Sequence, residues 1–243
     1  KYLPAIRHTI SMYQLLQDLM GEKDFDFEMS VDETETPTTV AAHYVVANEL
    51  KNAGVQCTSL APRFIGEFQK AIDYIGDLDE FRAQFREHVV IAEHFGPYKL
   101  SIHSGSDKYS VFPIVGEETK GLFHEKTAGT SYLEAIRIVA RKAPDLFREI
   151  FQFAKIRFEE ERYSYHVTTN MDNVPDVAVL QDDQLEALLD EDDPRQVLHI
   201  TFGGTLTAKR DDGSYTFRNR ILEVLHDYEE DYYDALVVLF GRH

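Results

Sequence analysis

The sequence is poor in cysteine, in basic residues and in long apolar runs. One cysteine, Cys57, stands among 243 residues, which excludes internal disulfides and metal sites built from several cysteines. Lys and Arg number 25 against 43 Asp and Glu, a formal net charge of -18, so we expect neither nucleic acid nor a membrane surface as a partner. No apolar run approaches the roughly 20 residues of a membrane span, and residues 1–10 carry no signal-peptide pattern. We therefore expect a soluble, cytoplasmic protein.

Several familiar catalytic and binding motifs are also missing. The chain has no G-x-G-x-x-G segment, no P-loop, no H-E-x-x-H, no EF-hand loop and no G-x-S-x-G elbow, so dinucleotide-binding, zincin, calcium-sensor and α/β-hydrolase interpretations lose their usual support. With 43% apolar residues, 12% of all residues being aromatic, the chain can still build a full core, which excludes a disordered acidic tail.

Short β-rich runs alternate with amphipathic stretches, a pattern typical of βα units around a parallel sheet. Predicted strands cover residues 25–31, 55–61, 98–103, 122–127, 163–168 and 197–202, and predicted helices cover 5–20, 38–52, 78–95, 131–141, 145–161 and 216–240. The acidic stretch 181–195 is interpreted as a solvated helix and loop. An open doubly wound sheet is possible but lacks its phosphate-binding signal. We expect a single α/β domain over 1–243, a (β/α) TIM-type barrel with about six of its eight units.

Polar residues collect where the predicted strands end, which is where barrel enzymes carry their chemistry. The first strand places Glu28, Ser30 and Asp32 on one side and runs into the carboxylate-rich segment 32–35. The remaining strand ends carry, in chain order, Arg63; His103 followed by Ser104, Gly105, Ser106, Asp107 and Lys108; His124 and Lys126; His166; and His199.

Imidazole and charged side chains at the same height on several strands carry a burial cost that a function would explain. With one or two carboxylates, His103 and His124 would suit a divalent cation, Zn, Mn, Ni or Fe, with an open position for substrate. Arg63, Lys108 and Lys126 are ordinary ion-pair partners or a site for an anionic substrate. His166 and His199 are core residues or further ligands. A nucleophilic Cys57 is disfavoured because burial raises the pKa of a thiol.

Four segments in order resemble the tagaturonate epimerase family. They are residues 27–38 (FEMSVDETETPT), 59–64 (SLAPRF), 101–108 (SIHSGSDK) and 126–132 (KTAGTSY). The resemblance extends over most of the chain and implies that it corresponds to the C-terminal part of longer family members. It also implies a metal-dependent interconversion of D-tagaturonate and D-fructuronate, two keto-hexuronates, in bacterial hexuronate catabolism.

The two sugar acids differ at a carbon β to the ketone, so deprotonation beside the carbonyl cannot invert it, whereas a retro-aldol and aldol sequence can. We expect His103 and His124 to hold the metal and Asp32 or Glu28 to act as acid and base. Lys126 or Arg63 would stabilise the enolate or bind the substrate carboxylate, and Ser104, Asp107 and Lys108 would help to bind substrate. The alternatives are a metal-dependent ketose isomerase or aldolase on a TIM-type barrel, and a non-catalytic sugar-acid binding protein.

Overall fold

The computed structural model describes residues 2–32 and 34–242, apart from the side chain of Ser164; Glu33, in the predicted carboxylate-rich segment, lies outside them. Ten α-helices and four strands are described: α1 Leu3–Met20, β1 Glu28–Val31, α2 Val40–Asn52, β2 Ser59–Pro62, α3 Leu78–Phe95, β3 Lys99–Ile102, α4 Phe112–Thr119, β4 Phe123–Glu125, α5 Thr130–Lys142, α6 Pro144–Glu161, α7 Asp192–Ile200, α8 Phe202–Thr207, α9 Arg218–Asp227 and α10 Glu229–Phe240. None of these helices is both long and apolar enough to cross a membrane.

The chain forms two compact units. Unit 1 contains the residues up to Phe68 together with Tyr74–Lys126, and unit 2 contains Gln69–Asp73 together with the residues from Thr127 onward. All four strands lie in unit 1, so the sheet and any chemistry at its strand ends belong to that unit. The prediction of one domain over 1–243 stays a prediction.

The sheet of unit 1 is parallel throughout, in the order β1-β2-β3-β4. Glu28 pairs with Ser59 across β1 and β2, and Ser101 pairs with His124 across β3 and β4. The first four predicted strands are thereby confirmed, each shorter than its apolar run indicated. Each of the first three strands is followed by a helix that leads to the next strand, as a connection between parallel strands requires.

The two faces of this sheet differ in composition because successive side chains on a strand point to opposite sides. One face carries Met29, Leu60, Leu100 and Ile102, all buried in the apolar clusters that the helices cover. The other carries small or polar side chains, namely Glu28, Ser30, Ser59, Ala61, Ser101 and His124. Parallel sheets are usually apolar on both faces, so the polar face is the exceptional feature of this unit.

Helix α3 shows why the sequence pattern predicted three of the helices described in unit 1; the short helix α4, Phe112–Thr119, was not predicted. The Asp77 carboxylate accepts hydrogen bonds from the backbone N–H groups of Asp79 and Glu80, both at 2.9 Å, which caps the helix N-terminus. Phe81 and Phe85, one turn apart, are completely buried. The helix ends at Phe95, with Gly96 as its C-cap, and Pro97 cannot continue it.

Two strands predicted in unit 2 are wrong. Residues 163–168 contain the end of a short 3-10 helix and irregular backbone, and residues 197–202 belong to α7 and the start of α8. The segment 197–202 is apolar because α7 is buried on nearly every side, and a short buried helix cannot be told from a strand by periodicity. Asp192 and Asp193 in its first turn favour a helix start through the helix dipole. Of the six predicted strands, the described residues therefore form four, all parallel and all in unit 1.

Two further predictions in unit 2 need correction in detail. The predicted helix 216–240 is interrupted at Tyr228, where the backbone leaves helical geometry between α9 and α10. The acidic stretch 181–195 is solvated only in part, because Leu185 and Leu189 are fully buried in the core of unit 2. Leu185 lies between two short 3-10 helices, Asp182–Gln184 and Glu186–Leu189, and Leu189 is the last residue of the second.

A buried polar chain connects α2, α3 and the start of β3. The Nδ1 atoms of His43 and His88 lie 2.8 Å apart, and His43 Nε2 lies 2.7 Å from the Tyr98 hydroxyl. Burial, and for His43 also the nearby His88, lowers the pKa of His43 to about 3; burial lowers that of His88 to about 4. Both imidazoles are therefore neutral in the folded protein at physiological pH.

The buried histidine pair, His43 and His88, predicts a specific loss of stability in acid. A histidine whose folded pKa is lowered stabilises fully above its unfolded value near 6.5 and loses that contribution as the pH falls toward the folded value. At pH 5 we expect each of the two histidines to lower the free energy of unfolding of the protein by about 2 kcal/mol relative to pH 7. Chemical denaturation at pH 7 and pH 5 measures it: the double variant His43→Gln/His88→Gln should lose less between these pH values than the wild type, whereas exposed His8→Gln should behave like the wild type. Equal losses in all three proteins would reject this cause.

Candidate active site

The polar face of the sheet carries a hydrogen-bonded cluster that joins β1 to the end of β4. Its members are Glu28, Ser30, Asp32, Ser59, Ser101, His124 and Lys126. Neighbouring strands lie about 4.8 Å apart, so β1 and β4 would be separated by about 14 Å on a flat sheet. Glu28 Oε2 nevertheless lies 2.9 Å from His124 Nδ1, a distance that these side chains can close only if the polar face is concave.

Lys126 is the centre of this cluster. Its ammonium donates to Glu28 Oε1 at 3.0 Å and to the Ser30 hydroxyl at 2.8 Å, and it lies 3.3 Å from Asp32 Oδ2. Burial alone would lower the pKa of Lys126, but the hydrogen bond to Glu28 and the charges of both carboxylates outweigh it and raise the pKa. The amine is thus a fixed cation between two anions.

The backbone at the end of β4 holds Lys126 in place. Its N–H donates to the carbonyl of Ile102 at 3.0 Å, and its own carbonyl accepts from Gly105 N at 2.9 Å, which extends the pairing of β3 and β4 beyond the strands. A Cβ on Gly105 would lie 2.6 Å from the Glu125 side chain. Glycine at position 105 therefore permits the close approach that fixes the lysine.

Glu28 is the most highly coordinated carboxylate of the cluster. Its Oε2 accepts from the Ser59 hydroxyl at 2.5 Å and faces His124 Nδ1, while Oε1 accepts from Lys126. Burial would raise the pKa of Glu28, yet hydrogen bonds from Ser59, Lys126, Ser101 and His124 together lower it to about 2. A carboxylate with this pKa stays ionised and is a weak base at neutral pH.

Asp32 follows β1 and completes the pair of anions around Lys126. Its Oδ1 accepts from the Ser30 hydroxyl at 2.5 Å. Burial acts to raise the pKa of Asp32, but the Ser30 hydrogen bond and the nearby charges of Lys126 and His103 lower it. With fewer donors than Glu28, its carboxylate is the less firmly held of the two.

The predicted metal ligands lie in different surroundings. The side chain of His124 is about half exposed, with Nδ1 turned to Glu28 and 3.1 Å from the Ser101 hydroxyl. The ring of His103 lies against the aromatic cluster of unit 1, its centroid 5.0 Å from that of Phe68 and 6.4 Å from that of Phe64. Its charge reaches Asp32, which places it near the cluster.

The predicted substrate-binding residues brace loops around the site. The Arg63 guanidinium donates to the main-chain oxygen of Thr34 and lies 3.8 Å from the Glu67 carboxylate. Lys108 has no exposed surface, and its ammonium donates to the Ser106 carbonyl at 3.0 Å. Two loop residues, Ser104 and Asp107, adopt positive φ angles of 47° and 64°, which defines a tight loop after β3.

The other candidates lie outside this cluster. His199 is buried on helix α7 of unit 2, not on a strand, and His166 is exposed in irregular backbone of the same unit. Cys57 is part-buried, and burial together with the charge of Glu28 raises the pKa of its thiol to about 11. The expected raised pKa is confirmed, and it keeps this thiol protonated at neutral pH.

The described side chains supply only part of the ligand set that the expected divalent metal would need. Glu28 and His124 are ligand types that suit Zn, Mn, Ni or Fe, and they are in contact. Within residues 2–32 and 34–242, however, no three His, Cys, Asp or Glu side chains are arranged to hold a metal ion. The cation between the carboxylates is the Lys126 ammonium, so the described side chains alone do not fit a complete metal centre.

Two serines of the cluster, Ser59 and Ser101, are missing from the sites predicted from sequence, whereas Ser30 was predicted on the same side of β1 as Glu28 and Asp32. Ser59 and Ser101 are buried on β2 and β3, and Ser30 bridges Asp32 and Lys126. A signal for the first two was present: each alternates with leucine or isoleucine on a short strand. That pattern indicates one apolar and one small, polar face.

Comparison with known proteins identifies the family. Residues 1–243 match the family model UxaE, tagaturonate epimerase. The chain is 46% identical over 242 residues to the tagaturonate/fructuronate epimerase of Thermotoga maritima, a match that covers 100% of this chain and 49% of that protein. Crystal structures of fructuronate-tagaturonate epimerase UxaE from Cohnella laeviribosi, native and with two glycerols, are 50% identical with TM-scores of 0.96 and 0.95; each match covers 100% of this chain and 49% of theirs.

The chain thus spans about half the length of the relatives it matches. Its four resemblance segments include six of the seven members of the polar cluster, Glu28, Ser30, Asp32, Ser59, Ser101 and Lys126. Both the whole-chain family match and the identity to a curated relative place it in one family, and the chain belongs to the tagaturonate epimerase family, UxaE.

Proposed function

We propose that the natural protein is an isomerase of hexuronate catabolism that interconverts D-tagaturonate and D-fructuronate by retro-aldol and aldol steps. The observation that carries this proposal is the ammonium of Lys126, held between the carboxylates of Glu28 and Asp32 on a concave polar face. A fixed cation beside a carboxylate is suited to moving a hydroxyl proton while stabilising an oxyanion. The names of the relatives in the same family support the choice of substrate.

In this mechanism a base removes the proton from the hydroxyl on the carbon to be inverted. The bond from that carbon to its neighbour beside the ketone then breaks, giving an aldehyde and an enediolate. Rotation of the aldehyde presents its other face, the carbon–carbon bond re-forms, and the proton returns to the new alkoxide. All atoms of the substrate are retained, and no electrons are gained or lost.

We assign the base to Asp32, because Glu28 is held by more hydrogen-bond donors, namely Ser59, Lys126, Ser101 and His124, whereas the Asp32 carboxylate accepts from Ser30 and faces Lys126. Glu28 anchors Lys126 and orients His124. Lys126 stabilises the negative charge that develops on the enediolate oxygen. Its raised pKa argues against a Schiff base with the ketone, since a nucleophilic lysine needs a lowered pKa.

Binding of the sugar acid requires positive charge to offset two carboxylates. Arg63 follows β2 and is the residue proposed to bind the substrate carboxylate. The loop after the neighbouring strand β3 contains Ser104, Asp107 and Lys108, which are proposed to help bind substrate. Use of Arg63 in this way requires it to exchange its bond to the Thr34 carbonyl for one to substrate.

Metal dependence is proposed separately, on the family resemblance and on the contact of His124 with Glu28. His103 and His124 remain the proposed ligands, and further ligands would have to come from residues other than those described. A bound divalent cation would polarise the ketone. The steps above are assigned to the side chains of this chain and none passes through the metal.

A TIM-type barrel is likewise proposed for the complete enzyme. The concave polar face and the helices on the apolar face match the inside and outside of a (β/α) barrel. Four strands are half of the eight that close such a barrel, and the chain covers 49% of its relatives.

Product analysis tests the proposed activity. Incubation of the natural full-length protein with D-tagaturonate should yield D-fructuronate, with the ketone in place and one centre inverted. A shifted carbonyl would indicate a ketose isomerase, and a released three-carbon fragment an aldolase; either result rejects the epimerase. A chelator followed by Zn, Mn, Ni or Fe tests the metal: turnover should fall and return with one of them.

The non-catalytic alternative is distinguished in the same experiment. A sugar-acid binding protein would hold D-tagaturonate without converting it, with or without chelator. Turnover that survives complete removal of metal would retain the epimerase and reject its metal dependence.

A further inference from the structure

We propose that the buried serines Ser59 and Ser101 are positioning residues for the reaction: they fix the carboxylate of Glu28, and through it the ammonium of Lys126. This inference rests on the proposed function and adds two residues to its site. Neither serine is expected to touch the substrate.

The placement of the two serines supports this role. Ser59 is 5% exposed and Ser101 has no exposed surface, although each lies on a central strand where apolar residues are the norm. Ser59 pairs in register with Glu28, and Ser101 pairs with His124. The two hydroxyls therefore lie on the central strands, between Glu28 on β1 and His124 on β4.

The hydrogen bonds of the two serine hydroxyls are made to Glu28 and His124. Ser59 donates to Glu28 Oε2 at 2.5 Å, a short bond of the kind made to a charged acceptor. Ser101 contacts His124 Nδ1 at 3.1 Å and also contributes a hydrogen bond to Glu28. The remaining partners of Glu28, His124 and Lys126, have side chains that are 48% and 31% exposed. The serines are thus its buried anchors.

A glutamate has three rotatable side-chain bonds, so loss of its buried anchors would let the carboxylate move with the solvent-facing groups. Lys126 depends on that carboxylate through its 3.0 Å bond to Oε1. A misplaced ammonium stabilises the transition state less well even when substrate still binds. The serines should therefore affect kcat and leave KM nearly unchanged.

The test uses the natural full-length protein and a graded series at one position. Ser59→Ala should lower kcat about 10-fold with KM within about twofold, and Ser59→Cys, nearly isosteric with a weaker donor, should fall between Ala and the wild type. Ser101→Ala should act in the same direction. Ser11→Ala, on the exposed surface of α1, is the matched control and should equal the wild type.

A double-variant cycle separates positioning from a purely structural role. If Ser59 acts through Glu28 on Lys126, adding Ser59→Ala to Lys126→Met should cause little further loss of kcat. Unchanged kcat in folded Ser59→Ala and Ser59→Cys, or fully additive losses in the cycle, would overturn the inference and leave the proposed epimerase intact. Absence of epimerisation by the wild type would overturn both. If Ser59→Ala fails to fold, the Cys variant decides.

Discussion

Lys126→Met is expected to lower turnover of the full-length enzyme by about 100- to 1000-fold, the loss that follows removal of one oxyanion-stabilising donor. Methionine keeps the length and much of the volume of the side chain but carries no charge. The ammonium contacts two anions, Glu28 and Asp32, and the neutral hydroxyl of Ser30, so its removal leaves these three partners without a positive charge between them. Steady-state kinetics on D-tagaturonate measures the effect, which should appear in kcat.

The control for this change is Lys120→Met. Lys120 is in the same unit, is 79% exposed and lies 3.4 Å from Glu93 at the surface, where an ion pair contributes little. It should retain wild-type kinetics. Loss of Lys126 also removes the cation shared by two carboxylates, so the pKa values of Glu28 and Asp32 should rise. A folded Lys126→Met protein with near-normal kcat would remove the lysine from the mechanism.

Asp32→Asn is the second large expected effect, with a loss of about 100-fold or more in kcat, the scale of a lost general base. The amide preserves the shape of the carboxylate and can still accept from the Ser30 hydroxyl, so the change removes the charge and basicity more than the packing. Asp18→Asn, at an exposed position of α1, is the matched control.

Comparison with Glu28→Gln distinguishes the two carboxylates. Since Glu28 is assigned to anchor Lys126, its amide variant should resemble a weakened Lys126 variant, and its effect should largely overlap with that of Lys126→Met in a double variant. The Asp32 effect should instead be separable. A wild-type rate in folded Asp32→Asn, together with an inactive Glu28→Gln, would exchange the two assignments.

The sequence predicted the βα part of the fold because local patterns determine it there. Alternation along β1 placed Glu28, Ser30 and Asp32 on one side, and the stop at Gly96 and Pro97 predicted the end of α3. The same reasoning failed at 197–202, where burial on nearly all sides of α7 removed the helical period. Periodicity reports which side is buried, and it carries no information when every side is.

The sequence identified Glu28, Asp32, Lys126, Ser30 and His124 of the polar cluster but not Ser59 and Ser101. Glu28 and Lys126 are 98 residues apart in sequence, and their meeting depends on the curvature of the sheet, which no spacing encodes. The sequence predicted no role for Ser59 and Ser101, because serine is common and no motif distinguishes these two positions. Their positions became informative only when the register aligned them with Glu28 and His124.

The most direct test of the proposed chemistry is the reaction of D-tagaturonate with the natural full-length enzyme in D2O, followed by NMR of the product. Retro-aldol cleavage leaves every carbon-bound hydrogen in place, because only the hydroxyl proton is transferred. We predict D-fructuronate with no solvent deuterium on carbon. Deuterium at the inverted carbon or at its neighbour beside the ketone would show that a carbon–hydrogen bond breaks, and would contradict the mechanism assigned to Asp32 and Lys126.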